Sequence, residues 1–315
     1  MHVRAARSLP REAAELPWHP VLYRIGRTPL VELQKIPGRG GARVFAKVES
    51  ANPGGSVKDR AARAIVTEAF RAGELPGNRL LDSTSGNTGI AYAMLGAALG
   101  FGVTLCVPAS ASPERRRILR AYGCEVVETD ALEGSDGALV RARDLLAERP
   151  DVYFYADQYS NPANPAAHER TTGPEILEQL HGQPLDLFVA GLGTSGTFVG
   201  VSRFLRRASP RTRLVSVEPD APFHGLEGLK LMASALVPAI YDPTLADARI
   251  AVRTEEAHEM TRRLCREEGL FVGPSSGAAV VAALRAARET GARTVAVVLP
   301  DGGDRYLSDR FWEAP

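Results

Sequence analysis

Residues 79–108 read RLLDSTSGNTGIAYAMLGAALGFGVTLCVP. Arg79–Asp82 is a short, largely apolar strand. Ser83–Gly89 is a run of small hydrogen-bonding residues. Ile90–Leu99 is Ala-rich and helical, and Gly102–Val107 is a strand again. Strand, polar loop, helix and strand within thirty residues describe one parallel βαβ step. The step repeats downstream as a helix at Pro113–Ala121, a strand at Glu125–Glu128, a helix at Ser135–Ala147 and a strand at Val152–Tyr155. Upstream, IGRTPL (25–30) is a turn entering a strand, and Val44–Glu49 alternates as a second strand. Asn52–Ser56 is a turn, and a helix opens at Val57 and closes at Gly73.

Asn161–Pro165 reads as a loop crossing between domains, after which the alternation resumes. Strands fall at Leu185–Ala190, Leu214–Glu218 and Thr294–Leu299. Helices fall at Thr197–Arg207, Glu255–Glu268 and Ala278–Ala287, and Gly225–Ile240 has no clear period. The fold class is α/β with two doubly wound parallel-sheet domains. A chain of 315 residues holds about two domains of the usual ~150 residues.

The formal net charge of +1 gives no field that attracts nucleic acid or an anionic membrane. Aromatic residues at 6% are too few for a base-stacking surface. Cys106, Cys124 and Cys265 are widely spaced and odd in number, which excludes a disulfide framework or a zinc ribbon and suggests packing roles. The six histidines are scattered, so no metal is assigned. The first twenty residues have no apolar signal core, and a tail or an arm on a dimer surface is expected there. A cytoplasmic enzyme is the expected class.

Three polar loops sit between a strand and a helix, at 52–58, 84–89 and 191–197. Such junctions collect backbone N–H groups and the positive end of a helix, which suits anions. Lys58 opens the helix after NPGGSV, an unfavourable place for a cation beside the helix dipole. A lysine amine is also the nucleophile that takes a carbonyl cofactor covalently. Thr84, Ser85, Asn87 and Thr88 exceed the single residue an N-cap needs, which points to a ligand carboxylate. Gly193, Thr194, Ser195, Gly196 and Thr197 have neither the spacing of a dinucleotide fingerprint nor the Lys of a P-loop. A small phosphate cup fits them. Lysine, carboxylate loop and phosphate cup together suggest pyridoxal phosphate with an amino-acid substrate.

The chain resembles the cysteine synthase group of the fold-type II pyridoxal-phosphate enzymes, which includes O-acetylserine sulfhydrylase and cystathionine β-synthase. The resemblance runs from about Ile25 to Leu307. It rests on IGRTPL (25–30), NPGGSVKDR (52–60), TSGNTG (84–89), DQYSNPANP (157–165), GTSGT (193–197), EGLFVGPSSGA (268–278) and VVLPDGGDRYLS (297–308). It implies a tryptophan synthase β-like fold with the cofactor between a larger domain of 1–50 plus 161–315 and a smaller, mobile domain of 51–160. Lys58 would hold pyridoxal 5'-phosphate covalently and act as acid and base. Asn87 would bond the ring oxygen, residues 193–197 the phosphate, and Ser275 the ring nitrogen, with Ser276 its nearest rival. Thr84, Ser85 and Thr88, joined by Gln158, would take the substrate carboxylate. A serine at the ring nitrogen leaves the ring neutral, which favours β-replacement over transamination.

The activity implied is ping-pong conversion of an O-activated serine and sulfide to cysteine. O-phosphoserine would want a cation between Glu218 and Asp242, where Lys230 stands alone without arginine, so O-acetylserine is favoured. Cystathionine β-synthase, serine/threonine dehydratase and sulfur-carrier-dependent chemistry stay open on the same fold. A homodimer is implied, with serine acetyltransferase or a sulfur-carrier protein as possible partners. Arg27 and Pro274 depart from the family pattern, where Asn and Ile are more usual. The run Arg115–Arg117 with Arg120 is expected to be a solvated helix face, and only His224 among the histidines is placed near the site.

Overall fold

The computed structural model describes residues 16–84 and 86–313. Ten strands are found among them: β1 Leu30–Glu32, β2 Arg43–Val48, β3 Arg79–Ser83, β4 Val103–Pro108, β5 Glu125–Thr129, β6 Tyr153–Tyr155, β7 Leu187–Gly191, β8 Arg213–Pro219, β9 Ala248–Val252 and β10 Thr294–Leu299. The helices are α1 Pro20–Tyr23, α2 Lys58–Arg71, α3 Asn87–Leu99, α4 Pro113–Ala121, α5 Gly134–Glu148, α6 Ala163–Arg170, α7 Thr172–Gln179, α8 Gly196–Ala208, α9 Thr254–Glu268 and α10 Pro274–Thr290.

The strands form two sheets. A four-stranded sheet has the order β5-β4-β3-β6, and all its pairs are parallel. A six-stranded sheet has the order β1-β2-β10-β7-β8-β9 and is parallel except for β1 on β2. The N-terminal strands thus join the sheet built from strands between residues 187 and 299.

Both sheets are covered on two faces, and the period of two shows it. Along β10, Val295, Val297 and Leu299 enter one core with α9 and α10, while Ala296 and Val298 enter another with α7 and α8. In the smaller sheet, Leu80 and Leu105 face the core under α2 and α3, whereas Leu81 and Cys106 face α5. Cys106 is a core residue in a free state, and burial pushes its thiol up to about 12.

Two features differ from the sequence reading. Residues 161–165 are not an open loop: α6 starts at Ala163 and α7 follows almost without a break. Pro162 and Pro165 conceal this, yet proline is tolerated in a first helical turn, where the N–H has no intrahelical partner. The edge strand β9 is the other addition, with alternating exposure over ARIAV. The N-terminal stretch read as a tail or dimer arm lies, as far as Glu15, outside the described residues.

Candidate active site

The loops that follow β2, β3, β7 and β10 meet at the carboxyl ends of their parallel strands, the usual crevice of an open α/β sheet. They line a narrow cleft of about 40 Å³. Lys58, Asn87, residues 193–197, Ser275 and Asp301 all stand on its wall. A wider space of about 470 Å³ opens beside it, walled by Lys58, Thr84, Thr88, Gln158, Arg115 and Lys230. So the predicted lysine, asparagine, glycine turn and serine come together. Of the rival serines, Ser275 faces the cavity, and Ser276 is fully buried with an unpartnered hydroxyl. Ser85 lies outside the described residues.

Lys58 begins α2. The preceding turn is fixed by its own backbone and by the end of β10: the Val57 N–H donates to Pro300 O at 2.8 Å, and Ser56 bridges Asp301. No ion pair or side-chain hydrogen bond engages the Lys58 amine among the described residues. Burial pushes that amine below its ordinary range, with Asp301 pulling it back up and Arg115 adding to the fall. An amine so placed has a larger neutral fraction, the form that attacks a carbonyl.

Residues 191–197 turn sharply into α8. Ser195 has φ +69°, a left-handed value uncommon outside glycine, and its hydroxyl is buried without a partner. A Cβ on Gly193 would overlap the carbonyl oxygen of Gly228, and one on Gly196 would overlap the Asn164 side chain. These two glycines are therefore required by protein atoms behind the turn. Thr197 contacts His168 Nε2 at 3.3 Å, and burial holds that imidazole neutral, at about 3.

The carboxylate-loop candidates bond one another. Thr88 donates to Gln158 Oε1 at 2.6 Å, Gln158 donates to Ser83 O at 2.7 Å, and Thr84 Oγ1 accepts from the Gly86 and Gly89 N–H groups. Asn87 donates to Asp301 Oδ2 at 2.7 Å, as does the Tyr306 hydroxyl at 2.7 Å. Asp301 is a site residue that the sequence reading missed.

A correction concerns Arg115. It is 2% exposed, paired with Glu227, 3.8 Å from Asp301 and stacked on Tyr306 at 4.7 Å. Only Arg117 and Arg120 of its run are solvated, while Arg116 is half-buried. The overlooked signal was spacing: position 115 precedes the buried Leu119 by four residues and shares its helix face. Lys230 also reaches the wider space and pairs with Asp136 at 2.9 Å, and His224 lines it too. Arg27 takes φ +50°, a conformation asparagine adopts more readily, and it is not on the cavity wall. Pro274 occupies the first turn of α10, where proline fits.

The family model for pyridoxal-phosphate dependent enzymes matches residues 21–301. The chain belongs to that family. It is 45% identical over 298 residues to a cysteine synthase of Aquifex aeolicus, covering 91% of this chain and 90% of the relative. Among solved structures, an O-ureido-L-serine synthase superposes with a TM-score of 0.88 at 40% identity, covering 95% of this chain and 96% of the other. A cysteine synthase of Entamoeba histolytica gives 0.88 at 35% identity over 99% and 95% of the two chains. The protein is thus a fold-type II pyridoxal-phosphate enzyme. Its cavity fits the cofactor: one lysine amine without an ion pair, one unpartnered buried hydroxyl at Ser195, and a helix N-terminus for the phosphate.

Proposed function

We propose that this enzyme is a cysteine synthase, making L-cysteine from O-acetyl-L-serine and sulfide by β-replacement. The observation that carries the reading is the meeting of Lys58, Asn87, the 193–197 turn and Ser275 on one cavity wall, beside a carboxylate loop. When bound there, pyridoxal phosphate supplies a carbonyl for covalent attachment and an electron sink for the substrate Cα. Lys58 Nζ would hold the cofactor and move the substrate Cα proton. Asn87 and Ser275 orient its ring, and residues 193–197 hold its phosphate. The hydroxyl of Ser275, unlike a carboxylate, would leave the ring nitrogen unprotonated, which would limit diversion to transamination. Thr84, Ser85, Thr88 and Gln158 hold the α-carboxylate. Closure of 51–160 on 1–50 plus 161–315 keeps water from the reacting centre.

Lys230, the cation of the segment between Glu218 and Asp242, is already paired with Asp136, which supports an acetyl over a phosphoryl leaving group. No helix of the described residues is long and apolar enough to cross a membrane, consistent with a cytoplasmic setting. A homodimer, serine acetyltransferase and a sulfur-carrier protein remain the partners to test. Lys58→Ala is expected to abolish both turnover and the visible absorbance of the lysine-bound cofactor. A variant that keeps the chromophore sinks the assignment of Lys58. Assays of O-acetylserine and O-phosphoserine against sulfide and homocysteine test the reaction. Cystathionine as the main product would replace the reading.

A further inference from the structure

We propose that Arg115 is a positioning residue for the substrate carboxylate, supplying from beneath the loop at 84–88 the positive charge that this loop lacks. The inference rests on the function proposed above and names how its substrate site is charged. The loop's described side chains are neutral, and those of Thr84, Thr88 and Gln158 already bond one another or nearby backbone. Backbone N–H groups at the start of α3 bring only a partial charge. An amino acid entering with a full carboxylate meets no cation on the loop itself.

Arg115 lies directly below. A Cβ on Gly86 would overlap Arg115 Cδ, with Nε beside it, so this arginine packs against the loop backbone. Nε is buried and has no hydrogen-bond partner. That orphaned donor is a second, independent sign of a site awaiting negative charge, because buried donors are otherwise nearly always satisfied. The other end of the guanidinium reaches the opposite sheet's loops, at Glu227, Asp301 and Tyr306. Asp301 in turn receives Asn87 from the loop side. One buried charge therefore joins the carboxylate loop to the cofactor wall, across the seam between the two sheets. Glu227 engages the terminal nitrogen Nη1, which leaves Nε on the loop side unpaired. Arg115 is itself buried, so water and salt screen its charge less than they would a surface cation.

The test compares L-serine with L-serinamide, which lacks the negative charge. Binding of each is read from the visible spectrum of the cofactor-loaded protein, without turnover. In Arg115→Met, which keeps the packing length, the Kd for L-serine is expected to rise about 10-fold, while that for L-serinamide stays within about two-fold. Glu227→Gln is expected to do the reverse, tightening L-serine relative to the amide, and it serves if Arg115→Met does not fold. Equal changes for both ligands, or no change in either variant, overturn the proposal and leave Arg115 a packing residue. A wild-type protein that takes up no cofactor defeats the function proposed above, which the spectrum shows before any ligand is added.

Discussion

Two buried ionic clusters join the parts of this molecule, and they are finished to different degrees. The first surrounds Arg60. Its Nε and both terminal nitrogens donate to Glu49 and Glu175 at 2.7–2.8 Å, with Thr28 and Thr171 taking further bonds. Lys47 completes it, pairing with Glu175 at 2.8 Å and donating to Thr28 O at 2.6 Å. None of its charged residues lines the cavity of Lys58. The second surrounds Arg115 and Asp301, on the wall of that cavity, and leaves Arg115 Nε and Asp301 Oδ1 without partners. A saturated cluster has one good arrangement and serves as scaffold. An unsaturated one keeps valences for something that arrives, and in an enzyme that something is substrate or cofactor.

The contrast can be broken by experiment. The largest effect is expected at the scaffold: Arg60→Met strands Glu49 and Glu175 and should cost roughly 3–5 kcal/mol in urea unfolding. A loss below about 1 kcal/mol would remove the distinction between the clusters. Asp301→Asn should act the other way round. Its kcat/KM is expected to fall at least ~10-fold, while Tm moves by less than about 4 °C. A large Tm drop with normal kinetics would make Asp301 scaffold as well. The smallest effect is an acid limb. Arg60 and Lys47 hold the Glu175 carboxyl down at about 2, below its ordinary 4.5. The unfolded chain then binds a proton that the folded one refuses between those values, so this contribution is complete above about pH 4.5 and is lost as pH falls towards 2. Glu175→Gln should flatten that part of the stability curve.

How far the sequence could be read follows the same division. Lys58, Asn87 and Gly193–Thr197 stand out in the sequence because each lies at a strand-to-helix junction, and such junctions leave a local pattern; Ser275, which follows α9 in the first turn of α10, stands out only through the family resemblance. Arg115 and Asp301 do not stand out, since their meaning depends on partners more than a hundred residues away. The helix face shared by Arg115 and Leu119 was readable in principle, but three arginines in a row resemble a solvated surface. Helices α6 and α7 were hidden by prolines that sit harmlessly in their first turns. Packing against Gly228 and Asn164 is a further demand on Gly193 and Gly196, and it depends on residues too distant in sequence to leave a local pattern.

The place of β10 carries a consequence for synthesis. The four-stranded sheet is drawn from one continuous stretch, 79–155, so it can assemble while the ribosome is still at work. The six-stranded sheet cannot, because its strand from 294–299 lies between β2 and β7. Until that strand emerges, β2 and β7 wait with open edges, and the last strand made is the one that joins them.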